Sequence, residues 1–502
     1  MAILSYLLTR VDLLLYFTTC IALFLYWING SKKSSAKMPP GPKPLPLIGN
    51  FHLLDMTYPH KSLMELSKKY GEVFTVHFGF QKVVVLAGYN AVKDALVNQV
   101  DDFVERPDTP LFRIFGKGKG IIFSNGESWK TMRRFSLSTL RDFGMGKKTV
   151  ESRIQDELIY LIEHFKTQNG KPFDTEIIMG NAVCNVISSI IFGKRFEYED
   201  PAFQKLLKTM ADNERLSGSP KLLLYNYFPR IMSLFGVQKE LVQSLGEINE
   251  FLLKRIKQQR QEFNSNDISG YIDAYLLKQE QDQASNKTET YFNDDNLAMA
   301  ASDLFTAGTE TTSTTLQWAI LLMMKYPEIQ KKVRVEIQAH IKPGEMPTAD
   351  DRRKMPYTDA VIHEVQRFSN IVPMSLSHTT AKDVYFRGYC IPKDTEVIPF
   401  LTSVLYDKTQ WERPYEFNPN HFLDGSGKFV RRDAFMPFSA GRRVCVGEGL
   451  AKMELFLFFV GLLQTFTFHP PPGVSREDLD LTPGIGFLLM PRPHLVCAKL
   501  NC

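Results

Sequence analysis

Cys445 carries the most chemistry in this chain. It lies in Phe438-Ser-Ala-Gly441-Arg-Arg443-Val-Cys445-Val-Gly447, just ahead of an apolar helical run from Leu450 to Phe466. The free N–H groups and aligned dipoles of a helix's first turn favour a thiolate placed there. A thiolate is the metal-binding form of cysteine. Gly441 and Gly447 permit tight bends, so a flat ligand can approach the backbone closely. Arg443 adds a fixed cation suited to a carboxylate. A haem would use all three features, since its iron needs an axial ligand and its two propionates need positive charge.

Three other constellations stand out. Ala307-Gly308-Thr309-Glu310-Thr311 falls inside a long helical pattern. Gly308 weakens the local helix, and Thr311 can bond back to a carbonyl one turn earlier. An acid and an alcohol beside such a distortion could pass protons, though glycine and threonine in a helix also serve plain packing. Glu364 and Arg367 share a helical face at i, i+3, an arrangement usual for a solvated surface pair. Trp129 and Arg133 share a face at i, i+4, where an indole N–H and a guanidinium could bind one anion; an ordinary basic amphipathic helix would look the same.

The elements that must position these residues are legible in outline. The chain has 502 residues, 44% hydrophobic and 23% charged, within the globular range. Neither a Pro/Gly/Ser linker nor an internal repeat divides the body, so one large domain is expected. Helical apolar spacing dominates the middle. The longest pattern starts near Asp294 and Asp295, which read as N-terminal caps, and runs to Tyr326 before Pro327. Glu72–Phe78 and Lys82–Leu86 read as a hairpin, and Asp383–Phe386 is expected to pair with Thr395–Ile398. The expected fold is mainly α with small β-sheets. A net charge of +5 is too mild to argue for nucleic acid. Six scattered cysteines do not form a disulfide framework.

The N-terminus predicts a membrane anchor over residues 1–31, because Leu13 to Ser31 carries no charge. Lys32, Lys33 and Lys37 follow it, which places the body in the cytosol. The stiff Met38-Pro39-Pro40-Gly41-Pro42-Lys43-Pro44 run lies in a basic, proline-rich hinge over residues 32–49, ahead of a catalytic domain over residues 50–502. The sequon Asn286-Lys287-Thr288 would go unused on a cytosolic face.

Taken together, Phe438-x-x-Gly441-x-Arg443-x-Cys445-x-Gly447 resembles the haem-binding signature of the cytochrome P450 family, the haem-thiolate monooxygenases. The resemblance extends to the anchor, the proline-rich segment and the other constellations, in the family's order. Leu401-x-Ser-Val-Leu-x-Asp407 and His421-Phe-Leu-Asp424 are similar to the second family of vertebrate microsomal enzymes.

The resemblance implies that Cys445 ligates the iron of haem b, with Phe438, Gly441 and Ala307 around the macrocycle. It implies that Arg106, Trp129, Arg133, His378 and Arg443 hold the propionates. Thr311 and Glu310 would deliver protons during oxygen activation; Thr306 stands where many close members have glycine, a side chain that would narrow the site. Glu364 and Arg367 become a buried structural pair, completed by His421 where arginine is commoner. Phe123, Ile371, Met374 and Phe487 fall where substrate contacts lie, although each could equally be core. Lys130, Arg134, Arg432 and Arg442 could dock an acidic electron donor or form a solvated basic face.

The implied reaction puts one oxygen atom of O2 into a lipophilic substrate such as a fatty acid, steroid or xenobiotic. Electrons would come from NADPH through a separate cytochrome P450 reductase, with cytochrome b5 as a further partner, at the endoplasmic reticulum membrane. A peroxide-rearranging isomerase or a non-catalytic haem carrier are the alternatives. Dependence of turnover on NADPH and reductase discriminates among the three.

Overall fold

The computed structural model describes residues 18–19, 38–143, 148–285 and 290–501. Most of the predicted anchor, the three lysines after it and the sequon lie outside the described residues. Among the described residues no helix is long and apolar enough to cross a membrane. The described part of the proline-rich segment docks on the body: Thr75 donates from its backbone N to Pro40 O at 2.8 Å and from Oγ1 to Pro39 O at 3.0 Å.

In chain order the elements that build the site are β1 (Val73–Phe78), β2 (Gln81–Ala87), α1 (Gly126–Asp142), α2 (Lys148–Thr167), β3 (Phe173–Asp174), α3 (Glu176–Phe192) and α4 (Pro201–Ser217). They continue with α5 (Asp294–Lys325), α6 (Pro356–Ser369), β4 (His378–Thr379), β5 (Val384–Phe386), β6 (Tyr389–Ile391), β7 (Glu396–Phe400), α7 (Glu448–Thr465), β8 (Phe466–His469) and β9 (Leu495–Leu500).

The long helix exists with the predicted span, but its cap differs. Asn293, not an aspartate, accepts from Asn296 N through its side chain at 2.9 Å. Asp294 and Asp295 fill the first turn, where negative charge suits the helix dipole. The helix stops at Tyr326, whose ψ of 69° is the conformation that a following proline imposes.

Helices α3, α5 and α7 form the centre of the main apolar core. α3 and α7 are apolar on every side, the pattern of helices buried all round. Two glycines set how closely they approach. A Cβ on Gly308 would lie 3.0 Å from Ile187 Cγ1 of α3. A Cβ on Gly461 of α7 would lie 2.3 Å from Leu158 Cδ2 of α2. Gly308 thus has a packing role beyond weakening the helix.

The β1–β2 hairpin forms in the register Val73↔Leu86 to Phe78↔Gln81. The second expected pairing does not form. β5 pairs with β6, because Arg387 and Gly388 both take positive φ (49° and 81°) and close a two-residue hairpin turn. β7 instead joins β2 in parallel, with β4 on its other edge. Every residue of β7 is buried, as in an interior strand. The third sheet has the order β3-β9-β8.

Glu364 and Arg367 form the expected structural pair on α6. Arg367 donates Nε to Oε2 and Nη2 to Oε1, both at 2.7 Å, and both side chains have 0% exposure. The remaining guanidinium donors go to the carbonyls of Leu405, Pro414 and Glu416. His421 Nδ1 lies 3.2 Å from each Glu364 oxygen, and Asn418 N donates to Oε1. This buried pair is fully bonded, so removing one charge strands the other. Glu364→Gln is expected to cost about 3–5 kcal/mol, and joint replacement of both residues by leucine and methionine less. Denaturant unfolding checks this; equal stability of Glu364→Gln and the parent refutes it.

Candidate active site

The cysteine loop is held from within. Cys445 N donates to Phe438 O at 3.0 Å, and Ser439 and Gly441 take φ of 61° and 72°. Glycine is required at position 441 for packing, not for ligand approach: a Cβ there would lie 1.8 Å from Leu96 O. Gly447 has φ −87°, so its backbone does not demand glycine; a Cβ would sit 3.9 Å from Cys445 Sγ, beside the sulfur.

The sulfur presents accessible surface, although protein surrounds it at longer range. Burial pushes its pKa up, and the Glu448 charge adds to this. The N–H groups of Gly447 and Glu448 at the start of α7, with the Arg133 charge, pull it down. The predicted helix-terminus effect is present, but burial outweighs it. The thiolate therefore needs a cation bound to the sulfur, which a metal supplies.

Around the loop the predicted anion-binding residues converge. The Arg443 guanidinium stacks 3.8 Å from the Trp129 ring centroid. Its Nε donates to Val104 O and its Nη2 to Ser124 O and Asn125 Oδ1. Arg106 donates to the carbonyls of Ile122, Leu376 and Ser377. Arg133 donates to Val444 O, the peptide next to Cys445. Burial, then mutual repulsion, pushes Arg443 down to about 8 and Arg106 down to about 9. Arg133 is also lowered by burial. None of the three forms an ion pair with a carboxylate among the described residues, and the Glu105 charge only partly offsets the lowering of Arg443. Trp129 Nε1 and Arg443 Nη1 are buried donors with no partner among the described residues.

These residues fit haem. Two unpaired donors and three crowded guanidiniums call for carboxylates, and a sulfur that is accessible yet un-ionised calls for a metal. His378 departs from its expected role as it stands. Burial and Arg106 hold it neutral, and its Nδ1 lies 2.5 Å from Phe103 O. The Nδ1–H donates there, leaving Nε2 as an acceptor that must gain a proton before it can hold a carboxylate. Asn125 was not expected. It accepts from Arg106 N at 2.8 Å and from Arg443. The only sequence cue was its place in Ser124-Asn125-Gly126 ahead of α1, where it would pass for a cap.

In α5, Ala307 is exposed and Thr306, Gly308 and Thr311 half-buried, although Thr312 to Met324 are wholly buried. Thr311 Oγ1 donates to Ala307 O at 2.8 Å, the predicted back-bond. Glu310 is 7% exposed. Burial pushes it up to about 8, with the charges of Glu214 and Glu176 adding and Arg215 opposing. At neutral pH it is largely protonated and can give a proton.

The four expected substrate residues divide. Phe123 is half-buried against Phe112 and Phe115, on a segment pinned by Asp303, which accepts from Ile121 N and Ile122 N. Ile371 O accepts from Leu489 N, and Phe487 N donates to Glu214 O, so these two segments are tied to each other and to α4. Met374 packs on the apolar cluster of β1 and β2, the core alternative for that residue. Of the basic face, Lys130 pairs with Glu127 and Arg442 with Asp101, while Arg432 donates to His421 O. Arg134 is exposed and makes no ion pair with any described residue.

The profile of the family described as Cytochrome P450 matches residues 39–498. The chain is 51% identical to Cytochrome P450 2K1 of Oncorhynchus mykiss over 479 residues, 95% of each chain. It is 46% identical to Cytochrome P450 2C5 of Oryctolagus cuniculus over 480 residues, 95% of this chain and 97% of that one. The chain belongs to the cytochrome P450 family and is a haem-thiolate monooxygenase.

Proposed function

We propose that this monooxygenase oxidises small lipophilic molecules at the endoplasmic reticulum membrane, with Cys445 as the residue that would hold the haem iron and with NADPH-derived electrons. The observation that carries the reading is the Phe438–Gly447 loop, which presents the Cys445 sulfur beside buried, unpartnered donors. When bound, haem supplies the redox-active iron on which O2 is activated. As the ligand holding that iron, the Cys445 thiolate would donate electron density to it. Arg106, Trp129, Arg133 and Arg443 bind and orient the propionates, with His378 joining once protonated. Phe438, Gly441 and Ala307 bound the macrocycle.

Glu310 holds the proton to be delivered. Thr311, whose own proton is directed at Ala307 O, keeps lone pairs free to accept one. Phe123, Ile371 and Phe487 face the substrate, with Met374 shared with the core. The apolar residues among them suit a fatty acid, a steroid or a xenobiotic.

The basic face at Lys130, Arg134, Arg432 and Arg442 receives an acidic flavoprotein reductase, and cytochrome b5 can compete for it. Residues 1–31 anchor the chain, residues 32–49 link the anchor to the body, and residues 50–502 are catalytic. The relatives' names specify no substrate, so the lipophilic class rests on the residues alone.

Cys445→Ala is expected to abolish the thiolate-type carbon monoxide difference spectrum; its survival refutes the ligand assignment. Glu310 is a proton donor only while neutral, so product formed per NADPH consumed should fall as pH rises through about 8. Glu310→Gln should show a low ratio without that fall. A parent ratio that is flat through this range overturns the role of Glu310.

A further inference from the structure

The last four carbonyls of a helix lack partners within it. At the end of α4 one of them, Glu214 O, is taken by a segment far along the chain: Phe487 N donates to it at 2.9 Å. One turn further on, the two backbones lie closer still. Gly218 ends α4 with φ −87° and ψ 3°, a turn conformation compatible with most residues. What requires glycine there is space. A Cβ on Gly218 would lie 1.9 Å from Gly486 C and 2.4 Å from Phe487 N. Gly486 is crowded from the same side, since a Cβ on it would lie 3.4 Å from Glu214 O.

Both sides of this contact are anchored. Leu488, Leu489 and Met490 are buried. Leu489 N donates to Ile371 O at 2.9 Å, just past α6, and Leu489 O accepts from Trp318 Nε1 of α5 at 2.7 Å. On the α4 side, Ser219 caps the next helix, Pro220–Tyr227, whose Leu222 is wholly buried. Between Gly484 and Met490 only Ile485 and Phe487 are exposed, Phe487 at 39%. The backbone of Phe487 is thus clamped between α4 and the core, while its ring projects.

We propose that Gly218 is a positioning residue: by letting the end of α4 lie directly on the Gly486–Phe487 peptide, it sets where the Phe487 ring stands and so how long a chain the substrate site accepts. The inference deepens the substrate role given to Phe487 above and rests on it. A methyl group at position 218 has to move that peptide from 1.9 Å to an ordinary contact of about 3.5 Å. The peptide gives way at its exposed tip, which carries Phe487.

Titration of the holoenzyme with 1-alkylimidazoles from butyl to decyl tests it. The imidazole nitrogen binds the haem iron, and the alkyl chain measures the space beyond. Affinity for the parent should rise with chain length and then level off. Gly218→Ala should move that plateau by one or two methylenes, with an affinity change of about fourfold for each. The thiolate-type carbon monoxide spectrum should stay. Phe487→Ala should also move the plateau, and Gly218→Ala should add nothing in that background, because it acts through the Phe487 ring. General damage to the fold would lower affinity for all chain lengths alike. If Gly218→Ala does not fold, Gly486→Ala crowds Glu214 O from the other side of the contact and should move the same plateau. A uniform loss of affinity, or full additivity in the double variant, overturns the proposal. If Phe487→Ala moves the plateau and the glycine variants do not, the positioning role fails alone. If Phe487→Ala leaves it unmoved, the substrate role of Phe487 fails with it.

Discussion

Three guanidiniums, Arg106, Arg133 and Arg443, converge in the interior beside a thiol that burial keeps from ionising. Neither half of this arrangement is stable by itself in a low-dielectric setting. The cations repel one another, and the Arg133 charge does not offset the burial that keeps the sulfur from ionising. A ligand with a metal at its centre and carboxylates at its edge answers both demands at once. The same balance accounts for the orphaned donors on Trp129 and Arg443, which carboxylate oxygens would satisfy.

That charge arrangement has to be held by something rigid, and α5 and α7 supply it. Gly308 lets α3 press onto α5 at Ile187, and Gly461 lets α2 press onto α7 at Leu158. Such contacts leave no room for adjustment, because protein interiors are close-packed and transmit displacement. Gly441 does the same for the cysteine loop by lying on the Leu96 carbonyl. The glycines of this site mostly serve approaches between parts of the protein.

The sequence was most legible where local chemistry is dense. The cysteine loop, the span of α5, the β1–β2 hairpin and the Glu364–Arg367 pair each follow from spacing, turn residues or a motif within a few positions. It was least legible where partners are distant. Asp383–Phe386 closes on Tyr389–Ile391 because two positive-φ residues make a tight turn, and β7 pairs with a strand more than 300 residues away. The role of Asn125 could not be read locally, because it accepts from Arg443, far along the chain. The sign of the Cys445 shift was likewise hidden. The helix terminus is visible in sequence, whereas the burial that outweighs it is a property of the whole fold.

Three buried acids of this protein, Glu364, Glu310 and Glu454, differ in the donors around them. Glu364 receives two guanidinium bonds, a backbone N–H and a histidine nitrogen. Glu310 and Glu454 have few donors and are pushed toward the neutral form by burial. An acid so engaged can do nothing but hold its neighbours, so Glu364 belongs to the scaffold. A neutral acid keeps a proton to donate. Where that proton can leave, as on the half-accessible side of α5, the acid can serve chemistry. The same residue type, buried to a similar degree, is thus assigned its work by what surrounds it.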